Sequence, residues 1–348
     1  MRETRRIMVG AVPMGGGADI SIQSMVNVNT CDIDAAVAQI HSLEQAGCDI
    51  ARIAVCSRAD ADALRKIKDR ISIPLVADIQ FDYKLAIAAA ENGADKLRFN
   101  PGNIGAQARV RALVACAKAH DIPIRIGVNA GSLDKQLLKK FKGPTPDAMV
   151  ESALFHIGLL EQEGFFDIVV SLKASNVPDT VSAYRKIHEL VQYPLHIGVT
   201  EAGMGEFALI KSSIGIGALL LEGIGDTLRV SLTGAPELGV AAGRDILRAC
   251  GLRREGVEIV SCPTCGRCKV DLPYMVKTVE SRLPKECSSL TIAVMGCAVN
   301  GPGEAREADI GIAFGENSGV LFKKGAKIAS GTPLEVLDKL VNEVSLMR

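Results

Sequence analysis

The sequence predicts an α/β protein: a (β/α)8 TIM-type barrel followed by a small α+β domain. Three observations carry this. Over the first 250 or so of the 348 residues, eight short β-branched or apolar runs alternate with longer stretches whose apolar residues recur three and four apart. Several of these runs follow directly on a Gly-x-Asp or X-Pro stop, the mark of a short connection from helix to strand. Past Arg253-Arg254 the alternation ends, and five of the ten cysteines crowd between positions 262 and 297.

Residues 6–19, with Gly15-Gly16-Gly17, read either as a hairpin closing the barrel floor or as a flexible lead-in. The eight barrel strands are expected at 22–26, 49–55, 74–79, 96–100, 123–129, 167–174, 195–200 and 227–232. Helical patterns at 32–46, 84–92, 106–120, 147–163 and 179–191 lie between them, and a last one covers about 237–250. The stops are Gly47-Cys48-Asp49, Ile73-Pro74, Gly93-Ala94-Asp95 and Ile122-Pro123. A doubly wound sheet would use fewer strands. No G-x-G-x-x-G follows a strand and no G-x-x-x-x-G-K-[ST] occurs, which removes the usual support for dinucleotide or P-loop binding. Beyond the barrel, strands are expected at 257–261, 290–296 and 308–314, a helix ends at 283, and a hairpin spans 318–331. Pro333 opens the last helix behind Thr332 as N-cap. The expected domains are therefore 1–252, substrate-binding, and 253–348, metal-binding.

Composition narrows the function. Forty Lys+Arg balance forty Asp+Glu, so a generally basic nucleic-acid binder is excluded while a local basic pocket is not. With no Trp and four Tyr, stacking on bases is not the main business. No apolar run approaches the roughly 20 residues of a membrane span, and the first 17 residues make a poor signal peptide. The expected location is the cytoplasm, where thiols stay reduced. Cys31, Cys48, Cys56, Cys116 and Cys250 then read as buried small hydrophobes, and Cys287 as structural.

A barrel does its chemistry at the C-terminal ends of its strands. There the sequence places Arg52, Asp78, Lys96 with Arg98, Arg125, Lys173, His196 and Arg229. Burying so many cations needs a negative counterpart. Asp78 and Glu201 are too few, so an anionic substrate with more than one charge is implied, a phosphate or diphosphate. Asn100, Asn129, Ser171 and Ser231 are candidate neutral donors, and the turn at 100–103 can turn amides toward the anion.

The second candidate site is Cys262-Pro-Thr-Cys265-Gly-Arg-Cys268 together with the distant Cys297, a strong thiolate metal signature. A zinc ribbon would bring a second, separate C-x2-C, and none occurs. For a 4Fe-4S cluster, Cys262, Cys265 and Cys297 are clear ligands, and the fourth is either Cys268 or Glu304. Four thiolates make an electron carrier; three thiolates and an oxygen leave an iron whose ligand a substrate oxygen can displace.

The motifs KLRFNPGNIG, IRIGVNAGSL, VTEAG, LEGIGDTLRVSL, CPTCGR and GCAVNGPGE stand in consistent order from about Arg6 to Glu304. They resemble the 4-hydroxy-3-methylbut-2-en-1-yl diphosphate synthase family, iron–sulfur enzymes of the methylerythritol phosphate route to isoprenoids. The last 40 or so residues match more loosely, and the length resembles the two-domain bacterial form. The resemblance implies reductive ring opening of 2-C-methyl-D-erythritol 2,4-cyclodiphosphate, with flavodoxin or ferredoxin as electron donor. It places the 4Fe-4S ligands at Cys262, Cys265, Cys297 and Glu304. The diphosphate falls to Arg52, Arg98, Arg125, Lys173 and Arg229, with Asn129 and Ser231 assisting, and Glu201 is the carboxylate near the reacting carbons. Cys268 stands where the family needs no ligand. The rival reading is a non-redox phosphosugar lyase or aldolase barrel, with Lys173 as Schiff-base lysine and a structural zinc; a third is an electron-transfer module, which needs no polyanion pocket.

Chain direction adds an expectation of assembly. The last barrel helix runs back toward the floor, a strand rises roughly 20 Å, and the second domain begins a few residues later. A short link therefore favours a head-to-tail homodimer in which each barrel meets its partner's cluster, as the resemblance also implies.

Overall fold

The computed structural model describes residues 3–103, 106–284 and 289–347. Cys287, expected to be structural, lies outside the described residues. The chain divides into two compact units, one up to residue 252 and one from residue 253.

The first unit opens with a hairpin, β1 (Ile7–Val9) and β2 (Val12–Met14), paired antiparallel. Eight strands then alternate with helices. They are β3 (Ser21–Met25), β4 (Ile50–Ala54), β5 (Leu75–Asp78), β6 (Lys96–Arg98), β7 (Ile124–Asn129), β8 (Ile168–Lys173), β9 (His196–Ile197) and β10 (Thr227–Leu228). The helices are α1 (Ile33–Gln45), α2 (Arg58–Lys68), α3 (Tyr83–Glu91), α4 (Gln107–Ala119), α5 (Lys135–Phe141), α6 (Pro146–Glu161), α7 (Val177–Leu190), α8 (Gly205–Leu221) and α9 (Pro236–Ala249). The strands are parallel in the order β8-β7-β6-β5-β4-β3-β10-β9. A bridge from Val170 to Leu195, with the Val170 N–H donating to the Pro194 carbonyl, joins the two ends into a barrel.

The Gly-x-Asp stops have a common physical job. Each aspartate sits at the start of a strand and accepts from an N–H of a neighbouring strand that would otherwise be unpaired. Asp49 takes Ile22 N at 2.7 Å and Asp95 takes Leu75 N at 2.6 Å; Asp226, directly after Gly225 and not in a Gly-x-Asp stop, likewise takes Leu195 N at 2.8 Å. Asp309 repeats the device in the second unit on Thr291 N at 2.8 Å.

The hairpin is a floor plug, not a loose lead-in. Ile7, Val9 and Met14 are buried against Ile50, Val76 and Val169, inward residues near the starts of β4, β5 and β8. Arg5 N donates to the Gln192 carbonyl and Thr4 Oγ1 to Asp226, which ties the lead-in to the same end. The barrel thus has an apolar floor.

Strands β9 and β10 are shorter than the runs at 195–200 and 227–232 suggest. Gly198 explains it: the Arg229 carbonyl lies where a side chain at 198 would stand, 2.5 Å from an ideal Cβ. The two chains converge too closely there to continue a regular ladder.

The second unit is a five-stranded sheet in the order β11 (Val257–Ser261), β12 (Leu290–Met295), β13 (Ile310–Gly315), β14 (Ser318–Lys323) and β15 (Ala326–Gly331). The first three are parallel and the last two antiparallel. Helices α10 (Leu272–Arg282) and α12 (Pro333–Leu346) cover one face through Leu272, Met275, Val279, Leu337 and Leu340. Helix α11 (Gly301–Glu307) packs Ala305 on the other face, against Ala293, Met295 and Ala313. Pro302 stands in the first turn of this helix.

The five cysteines read as buried hydrophobes divide. Cys48 is buried and Cys116 and Cys250 partly so, but Cys31 and Cys56 are exposed on the loops after β3 and β4. Their short runs carry too little periodicity to show which side faces solvent.

Candidate active site

The strand ends bring Arg52, Asp78, Lys96, Arg98, Arg125, Lys173 and Arg229 into one electrostatic neighbourhood. Lys96, Arg125 and Lys173 are 0%, 2% and 6% exposed. Asp78 is the one buried carboxylate facing them among the described residues. Its Oδ1 accepts from Arg98 Nη1 at 3.0 Å, and its Oδ2 lies 3.7 Å from Arg52 Nε. Burial pushes Asp78 up, and the fields of Arg52, Arg98 and Arg125 outweigh it, so its carboxyl is held below the ordinary value.

The cations are pushed the other way. Burial, and then the neighbouring guanidiniums, hold Lys96, Arg125 and Lys173 well below their ordinary values, and Arg229 is lowered to about 9. For Lys173 the added causes are Arg125, Arg229, Arg52 and Arg98. The free pocket therefore carries stored repulsion that a bound polyanion cancels. Nε and Nη1 of Arg125 and Nε of Arg98 and Arg229 are buried without a hydrogen-bond partner among the described residues. That is the state of donors shaped for a ligand.

Backbone detail holds the donors in place. Arg98 Nη2 donates to the Gly127 carbonyl at 3.1 Å, and its Nε would lie 2.7 Å from a Cβ at 127. Only glycine admits the guanidinium there. Asn100, a candidate ligand donor, is instead committed to the scaffold: its Oδ1 takes Gly127 N at 2.8 Å and its Nδ2 gives to Gly127 O at 3.0 Å. The turn Pro101–Asn103 is fastened by Gly102 N donating to His156 Nδ1 at 3.0 Å. Asn129 ends β7 beside Lys173 of β8, and Ser231 is half-buried beyond β10. Glu201 is exposed after β9 in a left-handed backbone conformation, φ 52°. Non-glycine residues take that conformation at a cost, and it is concentrated at functional sites.

In the second unit, Cys262, Cys265, Cys297 and Glu304 line one cavity of about 390 Å³ with Arg267 and Asn300. The donors occupy its walls rather than converging on one point. Thr264, at φ 52°, turns the chain between the first two cysteines. Cys262 Sγ accepts from Gly296 N at 3.4 Å. The Cys265 thiol is lowered by the Arg267 backbone N–H and guanidinium, and the Cys297 thiol by the N–H groups of Asn300 and Val299. Helix α11 is what brings Glu304 to the cavity wall. Cys268 is directed elsewhere: its thiol donates to the Val270 carbonyl at 3.2 Å and packs against Gly296. The donor set, three soft thiolates and one carboxylate, suits an iron–sulfur group.

Sequence reasoning passed over His156 and gave Asn100 to the ligand rather than to the scaffold. The signal for Asn100 was its place two residues after β6; for His156, on a helix remote in sequence, there was none.

Together the two units define a class: a barrel enzyme for a small polyanion that carries a separate second domain with a cysteine-lined cavity. The chain belongs to the GcpE family. Residues 4–244 match the GcpE TIM-barrel domain and residues 258–346 the GcpE protein C-terminal domain. A protein of Caldanaerobacter subterraneus subsp. tengcongensis is 55% identical over 344 residues, 99% of this chain and 97% of its own length. One of Geobacter sulfurreducens is 54% identical over 342 residues, 98% and 97%. Both are named 4-hydroxy-3-methylbut-2-en-1-yl diphosphate synthase (flavodoxin). Among solved structures, the Yersinia pestis dihydropteroate synthase with a pterine–sulfa conjugate aligns at TM-score 0.50 with 13% identity, over 71% of this chain and 100% of that one, a likeness of fold alone. No described helix is long and apolar enough to cross a membrane.

Proposed function

We propose that this chain forms 4-hydroxy-3-methylbut-2-en-1-yl diphosphate by reductive ring opening and dehydroxylation of 2-C-methyl-D-erythritol 2,4-cyclodiphosphate. The observation that carries this is the imbalance at the strand ends, where one carboxylate faces six buried or half-buried Arg and Lys side chains, Arg52, Lys96, Arg98, Arg125, Lys173 and Arg229. Two electrons and protons open the ring and release one hydroxyl as water. Arg52, Arg98, Arg125, Lys173 and Arg229 hold the diphosphate, and Asn129 and Ser231 supply neutral hydrogen bonds. Breaking the ring C–O bond leaves extra negative charge on the phosphoryl oxygen, so the cations stabilise the transition state more than the ground state. Glu201 delivers the proton to the departing hydroxyl.

Cys262, Cys265, Cys297 and Glu304 would hold a 4Fe-4S cluster. When bound, such a cluster passes electrons singly and offers one iron whose oxygen ligand is exchangeable. The donor is a flavodoxin, as in the names of the relatives, and the protein works in the cytoplasm.

The working unit is a head-to-tail homodimer, each barrel meeting its partner's cluster domain. Two features support this. Helix α9 starts just past β10 and runs back toward the floor, with only residues 250–256 between it and β11. Helix α8 carries an unpartnered apolar stripe, with Phe207, Ile210, Ile214 and Leu221 at 75%, 52%, 56% and 73% exposure. Such a stripe on a soluble enzyme marks a contact between chains.

The test is conversion of the cyclic diphosphate by anaerobically purified protein with reduced flavodoxin, read by mass spectrometry. Brown protein that bleaches with dithionite and yields the linear diphosphate is expected. Colourless zinc protein without turnover overturns the reading.

A further inference from the structure

Arg98 owes its orientation to a chain of hydrogen bonds that begins on a helix remote in sequence. Two of its nitrogens are spent on the protein: Nη1 donates to Asp78 at 3.0 Å and Nη2 to the Gly127 carbonyl at 3.1 Å. Its Nε is buried with no partner among the described residues and so is left for a ligand. The Gly127 carbonyl also accepts from Asn100 Nδ2 at 3.0 Å, and Gly127 N donates to Asn100 Oδ1 at 2.8 Å. Asn100 in turn heads the turn, its carbonyl accepting from Asn103 N at 2.9 Å. The last link is Gly102 N, which donates to His156 Nδ1 at 3.0 Å.

The ring at 156 suits this task. His156 is buried on α6, 54 positions along the chain from Gly102. A backbone N–H can only donate, so Nδ1 must be the bare nitrogen of a neutral ring. Burial favours that form. The contact is close: a Cβ at 102 would stand 2.5 Å from His156 Cε1, 2.9 Å from its Nδ1 and 3.1 Å from Phe155 Cε1. Glycine at 102 thus lets the turn settle onto the ring. Within Pro101–Asn103, proline has no N–H and Asn103 N is used inside the turn, so Gly102 N is the amide by which α6 can hold it. Released, the turn would no longer fix Asn100 against Gly127, and the carbonyl that orients Arg98 Nη2 would lose its second donor. A guanidinium binds phosphate well only when its fork is aligned.

We propose that His156 is a positioning residue for the diphosphate, acting through Gly102, Asn100 and Gly127 on the guanidinium of Arg98. The proposal rests on the functional reading above, in which Arg98 binds the substrate. His156 sets how well that guanidinium is aimed, and so how tightly the diphosphate is held.

The test is binding of the cyclic diphosphate to anaerobically purified holoprotein, measured by isothermal titration. His156→Leu keeps apolar bulk and removes the acceptor; it should weaken binding about three- to tenfold with the cluster absorbance unchanged. His156→Asn places a neutral acceptor, Oδ1, where Nδ1 stood, and should restore the affinity. In an Arg98→Ala background, His156→Leu should add less than about twofold, because its path ends at Arg98. A histidine that merely fills space under α6 would weaken binding by the same factor in both backgrounds and would not be rescued by asparagine; either result overturns the proposal. Gly102→Ala presses on the ring from the turn and should match His156→Leu. Undiminished affinity in Gly102→Ala overturns the proposal even where His156→Leu does not fold. If the unsubstituted protein does not bind the cyclic diphosphate, the enzymatic reading falls and this one with it. Normal binding that these substitutions leave untouched sinks this proposal alone.

Discussion

Asp78 shows how one side chain is set by those around it. It bridges Arg98 and Arg52, and a diphosphate in the pocket would compete for the same guanidiniums. Arg98→Ala and Arg125→Ala should leave the cluster absorbance unchanged and weaken substrate binding by roughly 1.5–3 kcal/mol, about ten- to a hundredfold, in isothermal titration. Equal affinity in both variants would move the diphosphate elsewhere. At the metal cavity, Glu304→Ala should retain part of the cluster and lose most turnover, and Cys268→Ser should lose neither, because its thiol is turned to the Val270 carbonyl. The reverse pattern in iron content and rate would reassign the fourth ligand.

His156 links residue chemistry to stability. Burial lowers it from the ordinary 6.5 to about 4. Between those values the unfolded chain takes up a proton that the folded chain refuses, so the contribution is complete above pH 6.5 and is lost as pH falls toward 4. The shift corresponds to about 3 kcal/mol. Urea unfolding at pH 7.5 and 4.5 should show a smaller pH loss for His156→Gln than for the unsubstituted protein.

At the scale of elements, the hairpin and α8 make opposite predictions. Met14 is fully buried in the floor plug. Met14→Ala should cost about 2–5 kcal/mol in urea unfolding, with the substrate affinity of the remaining folded protein unchanged. Phe207 and Ile210 are exposed on α8, so Phe207→Ser with Ile210→Ser should leave the barrel's stability nearly unaltered while weakening self-association in sedimentation equilibrium. A drop in Tm without a change in mass would place the stripe outside any interface. Elements also show where sequence reading stops. The stops at Asp49 and Asp95 were legible because each aspartate closes a local chain end. The two-residue length of β9 and β10 was not, because it depends on the approach of the Arg229 carbonyl to Gly198 across the sheet.

For the whole molecule, the assembly proposal can be tested by mixing. An Arg125→Ala subunit keeps its cluster and a Cys297→Ser subunit keeps its barrel. Hybrids isolated through two tags should recover activity at one site of two, and hybrids no more active than either parent would mean that each cluster works on its own barrel.

The alternation of strand and helix, the polyanion chemistry at the strand ends and the thiolate motif were all determined by sequence. Period, stop residues and C-x2-C spacing are local, and local patterns survive in one dimension. Three things were decided only by the tertiary structure. Asn100 is spent on Gly127, Cys268 turns its thiol to Val270, and the stretch around Pro302 forms the helix that carries Glu304. The first depends on β6 and β7 arriving side by side, and the other two on how the Cys268 loop packs against Gly296 and α11 against the second sheet, none of which a sequence pattern records.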